Sequence, residues 1–394
     1  MKKLLAALLT ALMLFSLVAC ASPAATSTPA PAATQAPAAG AQTEQPAATE
    51  AAATPAASTE LAAADVAAQG FDHYDKAMTY KDAEAKLGPM PKISTELKIG
   101  YVCKAFENEF WRMQKEGAEA AGKALKDAGY NITLDVRAAQ GETDEQGQLA
   151  VLNDMVNKQY NGILCSPISE GNLLPGIEEA LKQNIPMTVV NDAFMPQIGI
   201  TVGAWHLQAA ELAAAWVNEK IGGEGQVAIV QGLPKAPPAR TRTEGFKNWF
   251  ANNNPKVEVV AIQNADWDRM KAKDVVDIWM KQYPDLKAIY ANNDTMAMGA
   301  LEAVKAAGKL GKCLVVGTDG TSEARASIKA GELSATVDSF PYFMSQIGTE
   351  MLLRKIAGQD IPKVIYSPQA LIDSTNVDVP SEEIIGWTGF NVAK

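Results

Sequence analysis

The sequence predicts an α/β protein of two lobes, each built on a parallel sheet with helices on both faces. Three observations carry this. Short apolar runs alternate with segments of helical period, which is the rhythm of parallel strands joined by crossover helices. The rhythm runs through four units and then starts again through four more. About 300 residues follow an alanine- and proline-rich start, enough for two domains of ordinary size.

In order, "LKIGYVCKA" (97–105) reads as a strand and Glu109 to Gly129 as its helix, then "ITLDVRAAQ" (132–140) with Asp144 to Tyr160. "GILCSPIS" (162–169) precedes a helix from Leu173 to Gln183, and "MTVVNDA" (187–193) one from Leu207 to Ile221. The second set is "GQVAIVQG" (225–232), "VEVVAIQNAD" (257–266), "LKAIYANND" (286–294) and "CLVVGTDG" (313–320). Their helices are expected to begin near Arg240, Asp268, Thr295 and Ser322. Before the first strand, Phe71, Tyr74, Met78 and Tyr80 suggest a short amphipathic helix packed on a lobe and broken at "GPMP" (88–91).

The chain begins "MKKLLAALLTALMLFSLVAC", two lysines and an apolar run ending at a small residue, the layout of an export signal. Leu17-Val18-Ala19-Cys20 resembles the bacterial lipobox, which implies lipidation of Cys20 and a membrane anchor outside the cytoplasm. Residues 21–64 are almost wholly Ala, Pro, Thr, Ser, Gln and Glu. Such a composition is expected to stay disordered, as a leash with a reach of roughly 35 Å. The chain holds 35 Lys and Arg against 45 Asp and Glu; without Lys2 and Lys3 that leaves 33 cations and a net charge of −12. With no basic run, this argues against a nucleic-acid partner. Cys103, Cys165 and Cys313 lie in apolar strand-like runs without CxxC spacing, so buried free thiols are expected, not a disulfide framework or a zinc site.

Polar and aromatic residues collect where the apolar runs end, the place at which open α/β sheets bind ligands. They are Asn108, Phe110 and Trp111 after the first strand, Asn191 and Asp192 after the fourth, then Arg240, Trp267, Asn293 and Asp319 in the second set. Each has a bland alternative: Asn and Asp cap helices, and Trp often packs inward. Asp294 is expected to cap the helix after it, whereas Asn293 is expected to face a ligand.

The stretches "ENEFW" (107–111), "ARTRTEGF" (239–246), "ADWDRMKA" (265–272), "YANNDTMAMGALEAVKAAG" (290–308), "VVGTDGT" (315–321) and "GELSATV" (331–337) resemble, in colinear order, the type I periplasmic binding proteins of sugar ABC importers, in their ribose-binding branch. The resemblance implies two Rossmann-like lobes joined by a three-segment hinge near Gly203, Ser339 and Ala370, closing over one ligand. The expected division is a signal over 1–20, a linker over 21–64, an extension over 65–96, one lobe from 97–203 with 340–370, and the other from 204–339 with 371–394. It further implies that Asn108 bonds a hydroxyl, that Phe110 and Trp111 cover a sugar face, and that Asn191, Asp192, Arg240, Trp267, Asn293 and Asp319 complete the site. Lys104 and Ser339 are candidates on the same ground, although an exposed lysine is as good a reading of Lys104.

The expected ligand is a neutral monosaccharide or polyol, delivered by a monomeric, non-catalytic receptor to an ABC permease without cofactor or metal. Asn191-Asp192 stands where the ribose pattern has an acid and an arginine, and Asp338-Ser339 where it has a glutamine, so ribose itself is not specified. Two other readings are open: a sugar or furanosyl-signal sensor coupled to a chemoreceptor or kinase, and a glycosidase using Asp192 and Asp319. Against an enzyme, no G-x-S-x-G, HExxH or Walker-type loop occurs.

Overall fold

The computed structural model describes residues 65–192 and 194–393. All of them belong to one of the two units into which the chain divides, Thr54–Lys394. The export signal, Cys20 and the linker over 21–64 lie outside the described residues.

Two sheets form. The first contains β1 (Met78–Thr79), β2 (Leu97–Ala105), β3 (Ile132–Ala139), β4 (Gly162–Cys165), β5 (Met187–Val190), β6 (Thr201–Gly203) and β12 (Val364–Tyr366). Its order is β1-β12-β6-β5-β4-β2-β3 and every pairing is parallel. The second contains β7 (Gly225–Gln231), β8 (Val257–Asn264), β9 (Leu286–Ala291), β10 (Leu314–Asp319), β11 (Ala335–Asp338) and β13 (Ala370–Asp373). Its order is β13-β11-β10-β9-β7-β8, with only β13 antiparallel.

Both faces of each sheet are apolar because helices cover both. In β2, Ile99, Tyr101 and Cys103 join a core shared with α2 (Glu109–Asp127) and α10 (Pro341–Ile356). Val102 points the other way, into a core with α3 (Glu145–Asn157) and α4 (Leu174–Lys182). The second sheet repeats this. Val230 and Ile289 pack on α7 (Arg269–Gln282) and α8 (Asp294–Ala306), while Ile229 and Tyr290 pack on α5 (His206–Lys220) and α6 (Pro237–Asn253). Gly117 lets α2 and α10 touch: a Cβ there would sit 1.9 Å from the Tyr342 carbonyl oxygen. Cys103, Cys165 and Cys313 are buried free thiols.

The chain passes between the sheets at 204–205, 339–340 and 367–369, where β6 leads to α5, β11 to α10 and β12 to β13. Two expectations are corrected. The C-terminal residues do not all stay with the second lobe. Val377 and Ile384 pack there, but Trp387, Phe390 and Val392 return to the first core, with Trp387 stacked 5.7 Å from Tyr80 and Met90 N donating to Asn391 O at 2.6 Å. The extension is not one amphipathic helix. It makes a 3-10 turn at Phe71–His73, then β1, then α1 (Tyr80–Leu87), whose first turn Thr79 caps by accepting from Asp82 N. Gly88, in the left-handed region at φ 68°, ends α1 one residue before Pro89.

Candidate functional site

The carboxyl ends of both sheets face one cavity, about 310 Å³ of non-atom space counted out to open solvent. The first lobe contributes Lys104, Asn108, Phe110, Trp111, Glu142, Asn191 and Asp192; the second contributes Pro238, Arg242, Trp267, Asn293 and Asp319. Nine of the predicted site residues are thus brought together, and two are not.

Arg240 is the first exception. Its guanidinium is 42% exposed and pairs with Glu170 at 3.2 Å on the rim. The guanidinium in the cavity belongs to Arg242. The cause is the helix start: α6 begins at Pro237, with Pro237-Pro238 in its first turn, not near Arg240. At 3.6 residues per turn, two positions along a helix lie roughly 200° apart, so Arg240 and Arg242 face opposite ways. Ser339 is the second exception. It is buried at the second crossing, behind β11, and its Oγ has no partner, but it does not reach the cavity. Beside it Asp338 turns away to Arg325 at 2.9 Å.

Lys104 is buried. Its ammonium lies 3.1 Å from Asp192 Oδ1 and 5.4 Å from the centre of the Trp111 ring. Asn108 caps α2 through its Oδ1 and donates through Nδ2 to Glu142 Oε1 at 2.8 Å. Trp111 Nε1 donates to the same oxygen at 2.8 Å. Glu142 therefore fixes one polar and one aromatic wall at once. It stands three residues past the end of β3, one of the two early strand ends with no expected site residue, and an acid just past a strand is the signal in the sequence. Opposite, Arg242 donates to the Asn292 carbonyl at 2.7 Å, approaches Asp319 Oδ1 at 3.5 Å, and meets His206 Nδ1 at 3.4 Å. Burial, then Arg242, holds His206 well below its ordinary pKa, so it is a neutral acceptor.

Burial raises the carboxyls of Asp192, Asp319 and Glu142; Lys104 opposes this at Asp192 and Glu142, and Arg242 at Asp319. Asn293 both caps α8, accepting from Met296 N at 3.0 Å, and lines the cavity. Asp294 is not the cap. It is fully buried and accepts from the backbone of Gly320 and Thr321 at 2.9 and 2.8 Å, which holds the loop after Asp319.

Backbone strain gathers here. Asn191, Trp267 and Asp319 have positive φ, at 77°, 66° and 135°. Trp267 also lies over Gly232, where a Cβ would come within 2.2 Å of its ring. Three buried polar atoms on cavity residues have no hydrogen-bond partner: Asn191 Oδ1, Asp192 Oδ2 and Arg242 Nε. Two acceptors and one donor, set between aromatic walls, match a molecule whose hydroxyls both donate and accept.

The lobes are closed over this space. Thr295 Oγ1 donates to Asn108 Oδ1 at 3.4 Å, Ser322 N to Glu109 Oε1 at 2.9 Å, and Lys235 Nζ to Glu145 Oε1 at 2.7 Å. Arg240 to Glu170 is a fourth tie across the rim.

A family model described as a periplasmic binding protein domain matches residues 99–360. The D-allose-binding periplasmic protein of Escherichia coli K12 is 35% identical over 290 residues, covering 69% of this chain and 89% of that protein. The ribose import binding protein of Bacillus subtilis 168 is 31% identical over 277 residues, covering 70% and 87%. A solved ABC-transporter periplasmic solute-binding protein from Actinobacillus succinogenes 130z, with bound D-allose, superposes with a TM-score of 0.67 at 29% identity, covering 72% of this chain and 99% of that one. The chain belongs to the periplasmic binding protein family, among the sugar-binding solute receptors of ABC transporters.

Proposed function

We propose that the chain captures a neutral monosaccharide of the aldohexose or aldopentose class between its lobes and delivers it, as a lipid-anchored extracytoplasmic monomer, to an ABC permease without chemical change. The observation that supports this reading best is the set of three partnerless atoms, Asn191 Oδ1, Asp192 Oδ2 and Arg242 Nε, buried between Phe110, Trp111 and Trp267. A hydroxyl bonded at each removes a desolvation cost of about 1–3 kcal/mol per group. Relatives that bind D-allose and ribose support the same class. Calorimetry against D-allose, D-ribose, D-fucose and myo-inositol tests it. At least one should bind with micromolar or better affinity, about −8 kcal/mol, and no heat from any of the four would end the neutral-sugar reading. Mass spectrometry of the exported protein tests the anchor: an acylated Cys20 at the N-terminus is expected, and an unmodified processed terminus would refute it.

A further inference from the structure

Beside the sugar cavity lies a larger chamber of about 1060 Å³, measured to its open mouth. Part of its wall precedes the region matched by the family model: Phe71, Asp72 and His73 come from the extension, facing Phe194 and Gln197 from the loop after β5 and Thr241 of α6. This wall is fixed. Tyr366 OH donates to Phe71 O at 2.7 Å, Trp205 Nε1 to Asp72 O at 2.9 Å, and Leu207 N to Asp72 Oδ1 at 3.1 Å.

Asp192 lines both spaces. Along α6 the neighbours share them out: Pro237 and Thr241 line the chamber, and Pro238 and Arg242 the cavity. The two spaces are therefore one residue apart. Asp192 is 4% exposed; its Oδ1 takes Lys104 and Asn191 Nδ2, and its Oδ2 takes nothing. A buried, unsatisfied acceptor in the partition calls for a ligand group at that point. The chamber repeats the chemistry of the cavity, with aromatic faces among carboxylate, amide and hydroxyl groups, which is what a second sugar ring or an aryl substituent meets well.

We propose that the chamber is a second subsite for the same ligand, so that the protein takes glycosides as well as free sugars. The sugar ring sits in the cavity, and the substituent on the oxygen facing Asp192 extends into the chamber against Phe71 and Phe194. This rests on reading the cavity as a sugar site. Calorimetry on the full chain with D-allose, D-ribose and their methyl and phenyl β-glycosides tests it, together with Ala67→Trp and Gln197→Trp, which fill the chamber from exposed positions. At least one glycoside should bind within about tenfold of its parent sugar. Each Trp variant, with unchanged Tm, should weaken that glycoside roughly tenfold or more and leave the free sugar within about twofold. Free sugars binding while no glycoside does, a glycoside indifferent to both variants, or two equivalents of free sugar per chain would overturn the proposal. No binding of any probe would remove the sugar reading itself, and the subsite with it.

Discussion

Arg242→Lys and Arg240→Ala are expected to separate sharply, although they lie two residues apart. Arg242 is 3% exposed, holds three acceptors and has one guanidinium nitrogen with no partner. Lysine keeps the charge opposite Asp319 but has no planar fork, so the bond from Nε to the ligand is lost. A charge-assisted hydrogen bond in such a site is worth about 1.5–3 kcal/mol, which converts to roughly a 10- to 150-fold rise in Kd. Arg242→Ala would confound this, because it strands the buried Asp319 carboxylate at about 3–5 kcal/mol of stability. Arg240, by contrast, makes an exposed rim pair with Glu170, worth about 0.2–1 kcal/mol. Its alanine variant should bind within roughly fivefold of the parent and lose part of that difference in high salt. Calorimetry with the best-binding monosaccharide, with Tm measured alongside, checks both. A large loss at Arg240 with parental affinity at Arg242 would refute the assignment of the cavity.

Glu142→Gln, which leaves Asn108 and Trp111 facing a weaker acceptor, should raise the sugar Kd by roughly tenfold without loss of Tm, as read by calorimetry. Gly232→Ala should displace Trp267 and weaken binding while the core stays intact, visible as a shifted indole fluorescence in the free protein. Gly117→Ala should cost about 1–3 kcal/mol, measured by denaturant unfolding, by pushing α2 from α10. Asp72 is buried, and burial raises its pKa to about 6 from 3.8, so the group stabilises the fold below 3.8 and loses that contribution as pH rises through 6. Between pH 7 and pH 5 the wild type should therefore gain on the order of 1 kcal/mol over Asp72→Asn, and an unchanged difference in unfolding free energy would contradict the placement of Asp72.

The alternation of apolar runs was enough to read two parallel sheets, because strands covered on both faces leave continuous hydrophobic stretches such as "YVC" at 101–103. The strand ends likewise announced most of the cavity, since a parallel sheet gathers them on one edge. What escaped was phase and long-range contact. A helix start placed near Arg240, three residues late, makes Arg240 the expected site residue and passes over Arg242, although Pro237-Pro238 mark the first turn. The sequence reads Asp294 as the cap and Asn293 as the ligand residue, but Asn293 is the cap, and only the packing of β10 and β11 against α8 shows Asp294 spent on Gly320, Thr321 and Thr336. The return of Trp387 to Tyr80 joins residues about 300 positions apart and has no local signal.

A crystal structure of the protein grown with D-allose tests the central claim most directly. The account predicts one sugar ring buried between Trp111 and Trp267, with hydroxyls on Asp192 Oδ2 and Arg242 Nε and both lobes in contact with it. A sugar held by one lobe alone, or at any site that leaves Asp192 and Arg242 untouched, would contradict it.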